Sequence, residues 1–220
     1  PRQAEAMLKP YHVSPVRRQL AMDCAQASLA VKRSLQPEEI SLYVGIPFCP
    51  TRCAYCSFIS ASGSANRLIP AYLDALFGEI DAAGEAARRA GKTVRTVYIG
   101  GGTPTTLAPD QLKALLDRLH TAFDLAPRTE LTVEAGRPDT IRDGGGNRIS
   151  VNPQTMSDLV LETIGRSHRA EDIRRAYALA REVRVGAINM DLIAGLPADT
   201  PEGFAATLDE VIGMDPENIT

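Results

Sequence analysis

Short stretches rich in β-branched residues alternate along this chain with longer stretches whose apolar residues recur at helical spacing. Ser41 to Ile46, Thr93 to Ile99, Glu130 to Val133, Arg148 to Val151 and Ala187 to Ile193 read as strands. Between them, Ile69 to Ala90 carries Leu73, Leu76, Phe77 and Ile80 on one helix face. Leu112, Leu115, Leu116 and Leu119 repeat that stripe behind Pro109, a residue suited to a first helical turn. Ala170 to Val183 and Glu202 to Ile212 are the remaining predicted helices. Strands separated by helices pair in parallel through right-handed crossovers. The expected fold is therefore α/β, with a parallel barrel or a doubly wound sheet, and periodicity alone does not choose between them.

Residues 1–40 read as an N-terminal helical segment, and 41–220 as the core domain. Val16 to Leu35 has helical periodicity with Leu20, Cys24, Ala27 and Val31 on one face, so Cys24 is expected to be a buried structural thiol. Ser41 to Ile46 is expected to be a buried strand. One crossover breaks the rhythm: Gly136 to Asn147, ending in Gly144-Gly145-Gly146, leaves room for one helical turn at most. The last residues, Pro216 to Thr220, read like a loop entering a strand. With no initiator Met at Pro1, a fragment of a longer protein is expected.

The formal net charge is −3, and the basic residues are scattered, so no nucleic-acid partner is expected. Arg17-Arg18 and Arg88-Arg89 sit in helical patterns as solvated faces. No apolar run reaches the roughly 18 residues that a membrane span needs. The N-terminal stretch has no apolar signal core. The chain is read as cytoplasmic.

Three of the four cysteines fall in Cys49-Pro50-Thr51-Arg52-Cys53-Ala54-Tyr55-Cys56, a C-x3-C-x2-C spacing directly after the first strand. Thiolates are soft ligands suited to iron–sulfur clusters, and three on one tight loop can bind three corners of a cubane. The fourth iron then stays open to a chelating cosubstrate. Structural zinc is the alternative, but it takes four closed ligands, commonly in paired C-x2-C units, and the loop contains no histidine. Gly100-Gly101-Gly102 ends the second strand, where missing Cβ atoms let backbone approach a ligand and amides can bind its charged groups. Glu134 closes a buried strand, and Asp191 lies within an otherwise apolar one, an uncomfortable place for a charge without a purpose.

"LYVGIPFC" with the C-x3-C-x2-C spacing resembles the radical S-adenosylmethionine (SAM) superfamily. More narrowly, the chain is similar to the oxygen-independent coproporphyrinogen III oxidase group. "SLYVGIPFCPTRCAYCSF", "TVEAGRPDTI", "SVNPQTM" and "INMDLIAGLP" look most like its HemZ branch. The resemblance runs from about Val13 to the last residue. It implies a partial (β/α)6 radical SAM barrel preceded by an N-terminal helix and incomplete at the C-terminus. It also implies a [4Fe–4S] cluster on Cys49, Cys53 and Cys56, with SAM as the second cofactor. SAM contacts carried over by the resemblance are Tyr43, Tyr55 beside the adenine, Gly101, Gly102 and Thr103 at the methionine end, Glu134, Gln154, Arg166 and Asp191. For Arg166 a solvated helix-end cation is the plain alternative, and His168 is read as surface.

The activity implied is one-electron cleavage of SAM to methionine and a 5′-deoxyadenosyl radical. In this group the radical removes hydrogen from two propionates of coproporphyrinogen III. Loss of carbon dioxide and an electron from each leaves the vinyl groups of protoporphyrinogen IX, in haem biosynthesis. The expected partners are thus a porphyrinogen and an electron donor that the sequence does not identify. The chain departs from the group in its short crossover after Glu134, in lacking the C-terminal strand and substrate-covering domain, and in lacking the larger N-terminal region of the HemZ branch. Phe58, two positions after Cys56, also stands where the oxidases carry a further cysteine. A HemW-type haem chaperone, to which the Phe58 position leans, and an inactive truncated fragment are the alternatives.

Overall fold

The computed structural model describes residues 6–58, 61–134 and 138–220. The chain divides into two compact units, Pro1–Glu39 and Ile40–Thr220.

In the first unit, helix α1 (Pro15–Ser34) starts where the Ser14 hydroxyl accepts from the Arg17 N–H at 3.4 Å, with Pro15 opening the helix and Lys32 and Arg33 in its last turn. None of its residues is buried. Cys24 is exposed, as are Leu20 and Val31. The expectation of a buried thiol is therefore corrected: one apolar stripe predicts a helix but does not supply a surface to cover it.

In the second unit, strands β1 (Glu39–Ile46), β2 (Thr93–Gly101), β3 (Glu130–Glu134), β4 (Arg148–Gln154), β5 (Ala187–Leu192) and β6 (Asn218–Ile219) form one sheet in that spatial order. Every pairing from β2 to β6 is parallel. Helices α2 (Ile69–Arg89), α3 (Pro109–Phe123), α4 (Pro138–Asp143), α5 (Asp158–Thr163), α6 (Ala170–Glu182) and α7 (Pro201–Met214) lie between the strands in sequence. A doubly wound sheet reverses its strand order at a switch point. Here the order never reverses, and the partial (β/α)6 barrel is what the chain forms.

Strand alternation divides the sheet into two faces. Val97, Ile99, Leu131, Val133, Ile149, Ile188 and Met190 are buried, as are Leu112, Leu115, Leu116 and Leu119 of α3. Each fully buried leucine stabilises the fold by about 1.5–3 kcal/mol. Residues one position out of phase are polar and bonded strand to strand. Thr96 Oγ1 donates to Ser41 Oγ at 2.8 Å, Asn189 Nδ2 to Ser150 Oγ at 2.9 Å, and Thr220 Oγ1 to Asn189 Oδ1 at 3.0 Å. β1 follows this alternation, with Val44 and Ile46 buried and Ser41 and Tyr43 exposed. It is thus a half-buried edge strand rather than the fully buried one expected.

The short crossover contains α4, six residues and somewhat more than the single turn expected. Residues 135–137 of the run that includes Gly136 and Arg137 lie outside the described residues. Ile141 of α4 is fully buried. The glycines after it permit close approach: a Cβ on Gly144 would lie 2.3 Å from Leu116 Cδ1, and one on Gly146 would lie 2.4 Å from Ile141 Cγ2. Asn147 then supplies polar partners for the end of β3, accepting from the Leu131 N–H and donating to the Thr129 carbonyl, both at 2.9 Å.

Candidate active site at the strand ends

The site gathers at the C-terminal ends of the strands, where parallel α/β folds bind ligands. β1 leads through Pro47 into Phe48–Cys49, which pairs in parallel with Ala61–Ser62. The cysteine loop is held from two sides. From β2, the Gly102 N–H donates to the Ile46 carbonyl at 2.8 Å and the Thr103 N–H to the Phe48 carbonyl at 2.7 Å. From the turn after α5, the Ile164 carbonyl accepts from the Ala54 N–H at 2.9 Å. Gly102 and Thr103 thus use their amides to clamp the cysteine loop, and the Gly101 amide favours the charged form of Glu134.

A cavity of about 300 Å³ opens there. Of the predicted residues it brings together Cys49, Cys53, Cys56, Tyr55, Gly102, Thr103, Glu134 and Arg166. Tyr43, Gly101, Gln154 and Asp191 do not line it. Gln154 is buried in left-handed backbone (φ 67°) beside the irregularity in the β4–β5 register, and its carbonyl accepts from the Ile193 N–H at 3.0 Å. Such backbone in a non-glycine residue is costly and gathers at functional sites.

Arg166 joins three parts of the wall. Its Nη1 donates to the Asn152 carbonyl at 2.7 Å, its Nη2 donates to the Tyr55 hydroxyl at 2.8 Å, and its Nε is buried without a partner among the described residues. This is not a solvated helix-end cation. His168 is also no surface residue: it is half-buried in the cavity wall with Nε2 3.3 Å from Arg166 Nη1. Burial pushes its imidazole below the ordinary value, the Arg166 charge pushes the same way, and Asp172 opposes them. For Tyr55, burial raises the phenol pKa, Arg166 opposes this, and the Cys53 sulfur adds to the rise.

At the other end of the wall, burial raises the Glu134 carboxyl above its usual range. The Tyr98 hydroxyl, donating to Glu134 Oε1 at 2.5 Å, pulls it back; Asp191 raises it, and the Gly101 amide lowers it. Tyr98 is itself pushed up by burial and by that hydrogen bond, while its ring stacks on Tyr43 at 6.0 Å between centroids. Asp191 is tied to Asn189 Nδ2 at 2.7 Å. Sequence reasoning missed Tyr98, Asn152 and His168. The signal for Tyr98 was period-2 alternation, which sets Thr96, Tyr98 and Gly100 on one face.

The cavity's donor set suits a soft-metal cluster. It offers three thiols, with the Thr103 hydroxyl 3.6 Å from Cys49 Sγ. Gly102 approaches so closely that a Cβ there would lie 2.9 Å from that sulfur. Among the described residues no three His, Cys, Asp or Glu side chains converge as one metal ion would require. A cubane, whose thiolates bind separate irons, does not ask for that convergence.

The family model of the radical SAM superfamily matches residues 43–211. Among curated relatives, the chain is 39% identical over 194 residues to the oxygen-independent coproporphyrinogen-III oxidase-like protein HemZ of Bacillus subtilis, covering 83% of this chain and 38% of that protein. It is 32% identical over 189 residues to the heme chaperone HemW of Escherichia coli, covering 82% and 49%. Among solved structures, the Escherichia coli coproporphyrinogen III oxidase HemN, described as a radical SAM enzyme, superposes with a TM-score of 0.75 at 33% identity, over 84% of this chain and 45% of that one. The chain thus spans less than half the length of each of these proteins. No helix among the described residues is long and apolar enough to cross a membrane.

Proposed function

Because the chain belongs to the radical SAM superfamily, whose cofactors are a [4Fe–4S] cluster and SAM, we propose that Cys49, Cys53 and Cys56 hold that cluster and that the adjoining cavity receives SAM. The observation that carries this reading is the meeting of all three thiols in one cavity with Gly102, Thr103, Glu134 and Arg166. What the bound pair supplies is a 5′-deoxyadenosyl radical, from one-electron cleavage of SAM to methionine.

The chain's own residues bind and orient. Gly102 and Thr103 hold the backbone of the cysteine loop through Ile46 and Phe48. Glu134, its carboxylate favoured by the Tyr98 and Gly101 donors, offers an anionic acceptor to a cationic or hydroxyl-bearing part of SAM. Arg166 fixes the Tyr55 ring in the same cavity wall. Tyr43, Gly101, Gln154 and Asp191 contribute from behind the wall. Three thiolates kept free for iron fit a reducing compartment, in keeping with a cytoplasmic protein.

For substrate we propose coproporphyrinogen III. Each of two propionate side chains would give one hydrogen atom to its own 5′-deoxyadenosyl radical, one SAM per propionate, then lose carbon dioxide and pass one electron to an acceptor, becoming a vinyl group. The names of the HemZ and HemN relatives support this class of substrate. A second reading, haem trafficking, is favoured by Phe58, an exposed apolar side chain at the position where the oxidases carry a cysteine, and by the HemW relative.

Anaerobic reconstitution with iron and sulfide should yield a brown protein that forms 5′-deoxyadenosine from SAM under a strong reductant. Cys53→Ala should abolish both colour and product. A colourless wild-type chain holding stoichiometric zinc would overturn the assignment. Product analysis with coproporphyrinogen, set beside a haem titration, separates oxidase from chaperone.

A further inference from the structure

Resting on the reading that Glu134 meets SAM, we propose that Tyr98 is a positioning residue, which holds the Glu134 carboxylate in the orientation that faces the cavity. Glu134 lines the cavity and Tyr98 does not, so Tyr98 acts through the carboxylate. Its hydroxyl donates to Oε1 at 2.5 Å. The Gly101 amide engages the same carboxylate from the strand end.

The phenol is held in turn. Its ring stacks on Tyr43 of β1, the planes 12° apart, so three neighbouring strands contribute one side chain each to a single arm. Gly100 sits under that arm: a Cβ there would lie 2.7 Å from Tyr98 Cε1 and 3.1 Å from Glu134 Oε2. This close approach gives the first glycine of the run a function of its own, to let Tyr98 and Glu134 meet above bare backbone.

The arrangement is needed because Glu134 is poorly placed to stay where it is. A glutamate has three rotatable bonds, burial disfavours its charge, and Asp191 of β5 repels it. The groups facing it are Tyr98 of β2, Asp191 of β5, the Gly101 amide and, at longer range, Tyr43 of β1. Among the described residues, only the Tyr98 side chain of these is hydrogen-bonded to the carboxylate. Without it, the carboxylate takes up a proton more readily and turns from its neighbours.

The test is Tyr98→Phe, which removes the hydroxyl and keeps the ring against Tyr43. Binding of radiolabelled SAM to the anaerobically reconstituted chain, by equilibrium dialysis, should weaken about tenfold at neutral pH, a typical cost of losing a hydrogen bond to a charged group. The deficit should widen toward acid, because the donor that favours the carboxylate is gone. Iron and sulfide per chain should match the wild type. In cluster-free protein, carbon-13 titration of the Glu134 carboxyl should move upward in the variant. Wild-type affinity and pH profile in Tyr98→Phe would overturn the proposal and leave the SAM reading standing. Loss of iron together with SAM would make Tyr98 a merely structural residue and overturn it too. A wild-type chain that holds its cluster and binds no SAM would bring down both.

Discussion

A methyl group added at Gly102 would lie 2.5 Å from the Phe48 carbonyl oxygen and 2.9 Å from Cys49 Sγ. Neither neighbour is the loose end of a flexible side chain, so the backbone joining β2 to the cysteine loop would have to move. Gly102→Ala should cost about 1–3 kcal/mol of stability, the usual range for overpacking, read as a lower urea midpoint. It should also lower the iron retained after reconstitution. The cysteines were legible in the sequence because ligands on one tight loop must be close in sequence as well as in space. Tyr98 was not, because a strand side chain acquires its meaning from the neighbouring strands, here Tyr43 on one side and Glu134 on the other. His168 looked like surface for the same reason: its partner Arg166 becomes a cavity residue only through Tyr55, 111 positions away in sequence.

Among the elements, α4 shows how little helix a parallel crossover can manage with. Six residues bury one isoleucine fully, Gly144 and Gly145 bring the turn against Leu116 and His120 of α3, and Gly146 lies against Ile141. Ile141 is the helix's chief apolar anchor. Ile141→Ala should therefore destabilise the chain by about 2–5 kcal/mol, as large-to-small core substitutions do, measured as a fall in the denaturation midpoint. The long helices and the strands were legible because their apolar spacing repeats. α5 was missed because six residues do not complete two turns, so no period repeats, although Val160 and Leu161 are both buried. The exposure of α1 was not legible either, since a sequence shows which face is apolar but not what lies against it.

Across the whole molecule, six strands in chain order put the ends of β1 to β5 on one rim, and that rim carries the site. At the far edge of the sheet, the Glu217 carboxylate accepts from Arg181 Nη1 at 2.6 Å and from the Ile188 N–H at 2.7 Å. Burial alone would raise this carboxyl, but the two donors hold it below the ordinary glutamate value. A group lowered in the folded state gives its stabilisation in full above the unfolded value and loses it as pH falls through the folded one. Glu217→Gln should thus lower the melting temperature at neutral pH, with the gap to wild type closing on acidification. Periodicity alone made the strands legible only as parallel, and it was the family resemblance that implied the barrel order; that the order never reverses is decided by packing among elements far apart in sequence. The clamp of Gly102 and Thr103 on Ile46 and Phe48 bears on how such a chain could lose and regain whatever its sulfurs carry. Peptide groups, not metal bonds, tie that loop to β2, so loss of the cluster should leave these two hydrogen bonds in place. A small zinc module, by contrast, draws its folding energy from its ion.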